Sequence, residues 1–379
     1  MANKLVINTE QFKDVCGKIL SAVDTSELST ITETLELRTE GKFLVVGVTN
    51  REYFVEVKLE MAEECEFHAT VNASLFLKLV SQITTENIQL DITDTTLIVK
   101  GNGTYKLPLI FEGTNLLELP HIEINNVTAE FTVSADILNS ILKFNSKQLT
   151  KGVITKPIQK LYFVDEQGAV TFTTGACVNS FTLPQPVKLL FNNRLVKLFK
   201  LFKEGEVDFS LGYDAISDDI VQTKVRFENG SVTLTAILTC DNTLLSQFPV
   251  TAVRGRATKD YPYCVNMNRL ELIQTINRLM LFNATNNVVA KTYGIFEFGP
   301  NSVTIYDANK ENCEVIGYEN AAGSIAGLES YTMLMNLDDF KSTLDSCIET
   351  HVCIHFGDNS AITISRGNIK NVIPQTKLS

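Results

Sequence analysis

The residues of this chain whose types and spacing come closest to a chemical site are His351, Cys353 and His355. On a strand, alternate residues share one face, so the three would offer the imidazole and thiolate ligands that zinc accepts. Val352, Ile354 and Phe356 would then form the core side. That leaves the trio on an outer sheet face with no fourth ligand and nothing to orient the imidazoles. The chain has only four histidines, the others being His68 and His121. No Walker A sequence, GxGxxG or GxSxG occurs. Acidic pairs such as Glu63-Glu64 and Asp218-Asp219 read as solvated loops. The expectation is a protein that catalyses nothing and holds neither metal nor cofactor.

Basic side chains make a stronger pattern. In the segment that follows Asn192, Phe191, Leu195, Leu198, Phe199 and Phe202 fall on one helical face. Arg194, Lys197, Lys200 and Lys203 occupy the rest, with no acidic residue before Glu204. Lys143, Lys147 and Lys151 follow an earlier helix at i, i+4 spacing. Lys13 and Lys18 lie on the first helix, Lys78 on its partner, and Arg269 and Arg278 on a later one. A single lysine on a helix is ordinarily a solvated residue. The group, in a chain of net charge −11, implies one positive face on a negative body. No aromatic interleaving accompanies it, so contact would be to phosphates and independent of sequence.

The helices that carry these charges recur. Leu5 to Phe12 is a short strand running into a helix that Asn8 can cap; the segment from Phe131 repeats this with Ser134, and the segment from Cys264 with Asn268. Such side chains accept from the unpaired N–H groups of a first helical turn. A second helix start also comes three times, at Asn72, Asn192 and Asn336, each with an apolar residue just before and another four places beyond. Between the two starts run alternating segments, Phe43 to Leu59, Leu161 to Leu183 and Gly294 to Tyr318. After the second helix come Asn87 to Leu109, Val207 to Leu238 and His351 to Ile364, broken by turn signals such as Glu228-Asn229-Gly230 and Gly357-Asp358-Asn359. The expectation is an α+β chain of three tandem units, 1–125, 126–256 and 257–379, each with two helices on antiparallel sheet.

Composition is compatible with this. Hydrophobic residues make up 44% and charged ones 20%, enough for each unit to bury a core. No apolar run approaches the roughly 20 residues that span a bilayer, and polar residues from Asn8 onward interrupt any leader-like stretch. The eight cysteines are scattered without a CxxC, which reads as free thiols in a reducing compartment. A cytoplasmic protein without a membrane partner is expected.

Three tandem two-helix units with basic helices resemble the β-type sliding clamp of bacterial DNA polymerase III. The similarity covers the whole chain. Its local anchors are Thr173-Thr174-Gly175, where the family has Thr-Asp-Gly, Phe248-Pro249 at the second junction, and Val372-Ile373-Pro374 near the C-terminus. The resemblance implies DNA-clamp domains whose helices line a ring, with sheets outside, closed head to tail as a homodimer around duplex DNA. It implies a processivity factor with DNA polymerase and a clamp loader as partners, acting at the replication site. It also implies a peptide cleft between the second and third domains, at Ile158, Thr173, Gly175, Ala176, Cys177, Val178, Pro249, Val253, Asn336, Val372, Ile373 and Pro374. Tyr105 and Leu107 on one edge, and Met280, Leu281 and Phe282 at a helix end, match the dimer contact. The chain departs from the family in having Ala176-Cys177-Val178 where His-Arg-Leu is usual, and Gln375-Thr376-Lys377-Leu378-Ser379 in place of an apolar, basic end. Those departures imply an altered peptide preference, as in a bacteriophage or otherwise divergent clamp. The competing reading is a non-enzymatic β-rich structural protein, such as a virion component, in which repetition serves assembly alone.

Overall fold

The computed structural model describes residues 4–24, 29–144, 157–172, 175–217, 220–238, 242–283, 293–320, 325, 327–358 and 360–375. Asp218 and Asp219 lie outside them.

The helices start where cap residues stand. Asn8 Oδ1 accepts from the N–H groups of Glu10 and Gln11 at 3.1 and 3.2 Å and opens helix Thr9–Leu20. Ser134 Oγ accepts from Asp136 at 3.2 Å ahead of helix Ala135–Lys143. Asn268 Oδ1 accepts from Leu270 and Glu271 at 3.0 and 3.1 Å ahead of helix Arg269–Asn283. In the second set, Asn72 accepts from Leu75 at 3.0 Å for helix Ala73–Gln82, and Asn336 from Asp339 at 3.1 Å for helix Leu337–Ser346. Four places beyond each Asn of the second set, Phe76, Val196 and Phe340 are wholly buried.

The segment after Asn192 is shorter as an α-helix than its periodicity suggests. Helix Asn193–Leu198 tightens into a 3₁₀ turn, Phe199–Leu201. Three residues per turn bring Phe199 and Phe202 into line, and both rings meet Phe227, at centroid distances of 5.1 and 6.3 Å.

The chain divides into two compact units, residues 1–139 with 194–239 and residues 140–193 with 240–379. In the first, an eight-stranded antiparallel sheet runs in the order Val127–Ser134, Glu206–Ser217, Ile220–Asn229, Val232–Leu238, Tyr53–Glu60, Phe43–Thr49, Thr34–Glu40, His68–Asn72. Its middle is a junction between sequence copies, where Val57 pairs with Val232 and Val55 with Leu234. A four-stranded sheet orders Lys4–Asn8, Asn87–Ile92, Thr96–Lys100, Thr104–Pro108. Helix Thr9–Leu20 packs on Ala73–Gln82 and on the strands Phe43–Thr49 and Tyr53–Glu60.

The second unit repeats the device. Lys188–Asn192, Leu161–Asp165, Gly168–Phe172 and Ala176–Ser180 continue into Ile369–Pro374, Ala361–Arg366, His351–Phe356 and Tyr263–Asn268, with the two-residue strand Glu319–Asn320 outermost. The junction pairs Ala176 with Val372 and Cys177 with Asn371. The four-stranded sheet here runs Cys313–Gly317, Ser302–Tyr306, Tyr293–Phe298, Tyr331–Asn336. Helices Arg269–Asn283 and Leu337–Ser346 pack together over a core that includes Phe296, Phe298, Phe340 and Phe356. Each four-stranded sheet thus ends on a strand, Thr104–Pro108 or Cys313–Gly317, with no neighbour on its outer side among the described residues.

Candidate nucleic-acid interface

In the first unit, the outer surface of helix Thr9–Leu20 and the 3₁₀ turn enclose a cleft of about 460 Å³, lined by Lys13, Asp14, Gly17, Lys18, Ser21, Lys200, Leu201 and Lys203. Four ammonium groups share it with one carboxylate, and Asp14 lies 2.8 Å from Lys18 Nζ. Lys13 also meets Glu10, at 3.4 Å. Lys200 and Lys203 are exposed, and among the described residues no acidic side chain forms a salt bridge with either. Positive charge held this close in solvent-accessible positions is what a row of phosphates neutralises. Helix geometry makes the cleft: Lys13, Gly17 and Ser21 stand at i, i+4 and i+8 on one face, while Phe12, Val15, Cys16 and Ile19 are buried on the other.

The remaining basic candidates divide. Lys78, Lys143 and Lys197 are exposed. Lys147 and Lys151 lie outside the described residues. The arginines are committed to the protein. Arg194 reaches Asp24 at 3.0 Å and Glu52 at 3.8 Å. Arg269 donates to the carbonyls of Glu349 and Leu344 at 2.8 and 3.4 Å. Arg278 grips Glu314 through Nε and Nη2 at 2.7 and 2.6 Å, and that pairing, helped by Thr275, holds the Glu314 carboxyl below its ordinary value.

The predicted peptide-cleft residues lie in the second unit, apart from Thr173, which falls outside the described residues, as do Thr174 and the tail 376–379. Ala176, Val178, Val253 and Val372 pack in one apolar cluster, joined by Val170, Ala257 and Ala361. Ile158 belongs to a second cluster with Leu161, Phe163, Leu190 and Phe248, and Phe172 and Val250 touch both. Gly175 is required where it stands, since a Cβ would lie 2.6 Å from the Val372 carbonyl oxygen. Strand alternation sends Cys177 and Ile373 the other way: the Cys177 thiol donates to Asn371 Oδ1 inside the sheet, and Ile373 joins the helix-packed core. Burial pushes that thiol up from its ordinary value. Pro249 is partly buried, Pro374 exposed, and Asn336 serves as the helix cap already described. The Val250–Val253–Ala257 spacing was a readable signal for the helix that completes the cluster. Beside it, Arg254 clasps Asp165 at 2.6 and 2.7 Å, a pairing that no local pattern announces.

At the unpaired edges, Tyr105 is 38% exposed and Leu107 is buried. At the end of helix Arg269–Asn283, Leu281 and Phe282 are 69% and 52% exposed, whereas Met280 packs on the core.

His351, Cys353 and His355 do share a strand face, with Val352, Ile354 and Phe356 buried opposite. His355 Nε2 sits 2.8 Å from Ser365 Oγ, and no group of three potential metal ligands converges among the described residues. A second cluster is announced by no local pattern. Buried Glu36 lies 3.0 Å from His68 Nε2, 3.1 Å from Arg38 Nη1 and 3.6 Å from His121 Nε2. Burial alone would raise its carboxyl, but the two imidazoles and the guanidinium outweigh burial and hold it at about 2.

Copies of a two-helix unit whose sheets run on from one copy to the next define a clamp-type architecture. No protein-family model and no curated protein matches the sequence. Solved structures do match it. The DnaN sliding clamp (DNA polymerase III subunit beta) from Pseudomonas aeruginosa bound to griselimycin superposes with a TM-score of 0.78 at 14% identity, over 100% of both chains. The DNA polymerase III beta subunit of Thermotoga maritima gives 0.76 at 13%, over 99% of this chain and 100% of that one. The Helicobacter pylori beta clamp gives 0.75 at 16% with the same coverage. The chain has, from end to end, the sliding-clamp fold of the DNA polymerase III β subunit.

Proposed function

We propose that this protein is a DNA sliding clamp: a non-enzymatic processivity factor that encircles duplex DNA, slides without reading sequence, and tethers a polymerase. The observation that carries the reading is the cleft where Lys13, Lys18, Lys200 and Lys203 converge on an otherwise acidic protein. A charged lining without base-reading groups suits sliding, because phosphate contacts are equivalent at every step. Enclosure would supply the retention that so few contacts cannot.

The sheet edges support closure. Strand Tyr53–Glu60 of the first copy joins Val232–Leu238 of the second, and Ala176–Ser180 of the second joins Ile369–Pro374 of the third. By the same rule, Cys313–Gly317 of the third copy takes Thr104–Pro108 of the first copy in another chain. A contact of this head-to-tail kind closes into a ring, and with domains at 1–125, 126–256 and 257–379 two chains make a six-domain homodimer. It would cover Tyr105, Leu281 and Phe282, exposed apolar groups of the sort that mark an interface. The apolar clusters around Ala176, Val253 and Val372 are the proposed seat for the anchors of partner peptides from polymerase and clamp loader. The site of action would be cytoplasmic, at the replicating DNA; among the described residues no helix is long and apolar enough to cross a membrane.

The test is topological. Loaded on closed circular DNA, the protein should stay bound through a high-salt wash and be shed when the circle is cut. A stable monomer in sedimentation, together with equal retention on circular and linear DNA, would refute the proposal. It would leave the assembly-protein reading, for which charge reversal at Lys197, Lys200 and Lys203 is without consequence.

A further inference from the structure

The lysine cleft contains a residue that the protein's own packing does not explain. Gly17 lies in the interior of helix Thr9–Leu20 and is exposed, and beyond the helix's own backbone no atom of the described residues comes within 4 Å of where a Cβ would stand. Its backbone is helical, so no unusual dihedral calls for glycine. Glycine within a helix is costly relative to alanine, since it frees the unfolded chain. An exposed, roomy helix position therefore favours a side chain.

The neighbours point to a ligand. Gly17 is the centre of the Lys13–Gly17–Ser21 row that forms one wall of the cleft, with Lys18, Lys200 and Lys203 around it. Ser21 is also small, and its hydroxyl is turned back to donate to the Lys18 carbonyl at 2.7 Å. Nine residues beyond the cap, the place that Gly17 holds after Asn8 belongs to Lys143 after Ser134 and to Asn277 after Asn268. Both are exposed side chains. The missing side chain belongs to this helix and not to the repeat.

We propose that Gly17 is a point where the phosphodiester backbone lies directly against the helix, its bare Cα letting the strand sink between the lysines. This rests on the reading of the cleft as a nucleic-acid interface. Close approach shortens the distance from the phosphates to the four ammonium groups, and Coulomb attraction rises as that distance falls. A side chain at 17 would hold the strand away without removing any charge.

Gly17→Ala and Gly17→Leu test this with a short linear fluorescent duplex at low salt, followed by anisotropy, and with thermal melting of the full chain. The alanine variant should melt about 1 °C higher and bind several-fold more weakly; the leucine variant should bind at least ~10-fold more weakly while still folded. Wild-type affinity in both variants, with the higher melting temperature present, would overturn the role given to Gly17. A Lys13→Glu, Lys18→Glu, Lys200→Glu, Lys203→Glu variant separates the two levels. If it loses binding while Gly17→Leu keeps it, only the glycine contact falls; if it too binds like wild type, the interface itself falls.

Discussion

The second helices of the second and third copies are alike inside and opposite outside. Val196 and Phe340 hold the same place after their Asn residues, and both are wholly buried. On the outer side, the first of these segments presents Lys197, Lys200 and Lys203, whereas the other has Asp338, Asp339 and Asp345 with Lys341 alone against them. Their ends differ too. Helix Leu337–Ser346 gives its last carbonyls to arginines, Leu344 to Arg269 at 3.4 Å and Ser346 to Arg366 at 2.8 Å, cations suited to the negative end of a helix. The segment after Asn192 ends in a 3₁₀ turn with its lysines in solvent. A repeated fold keeps its buried half under strict packing constraint while its exposed half is free to diverge. On the proposed function, basic charge therefore meets DNA in one copy, whereas in another it holds helix ends.

The largest effect should come from erasing the outer difference. Reversing Lys13, Lys18, Lys200 and Lys203 to Glu should lower duplex affinity by ~100-fold or more at low salt and reduce the salt slope by about 3–4; Asp338→Lys with Asp339→Lys should leave both nearly unchanged. Titrations against salt would show it, and equal losses from the two sets would erase the contrast. The inner likeness is tested next. Phe340→Ala and Phe76→Ala should each cost about 3–5 kcal/mol, and Val196→Ala ~2 kcal/mol, in denaturant unfolding. A loss below ~1 kcal/mol at any one would separate that copy from the others.

Acid should sharpen the contrast by bringing in the first copy. Glu36 titrates at about 2 when folded, against an ordinary 4.5. Its stabilisation is thus complete above 4.5 and drains away as pH falls toward 2. His121 is shifted upward from 6.5, chiefly by its bond to Glu36, so its contribution is complete below 6.5 and fades as pH rises through the elevated value. Glu36→Gln should cost about 1–3 kcal/mol at neutral pH and flatten both limbs of the stability profile. An unaltered profile would show that the cluster is energetically idle. The smallest effect belongs to the caps: Asn72→Ala and Asn336→Ala should each cost about 1 kcal/mol, and amide exchange should localise each loss to the first turn of its helix.

The repeat could be read from the sequence because its marks are local. A cap oxygen bonds N–H groups two or three residues away, and the apolar residue four places on follows from helical period alone. The joining of sheets across copies could not be read, since an edge strand does not encode which distant edge completes it. The same limit governed the basic residues. Arg194, Arg269 and Arg278 look like the lysines in a helical pattern, yet Asp24, Glu52, Glu349 and Glu314, which occupy them, are far away in sequence. Gly17 was visible all along as a letter, but only the open space around it makes it unusual.

Strand Ile369–Pro374 sits inside a nine-stranded sheet, where it adjoins Ala176–Ser180. During synthesis the ribosome must therefore make nearly two hundred further residues after Cys177 before its neighbour Asn371 exists. Until then the earlier strand waits with an open edge, the kind of surface that pairs with the wrong chain. The half-made protein thus carries an aggregation-prone edge through the second half of translation. A nascent chain arrested just before residue 369 would be the form to look for in association with chaperones.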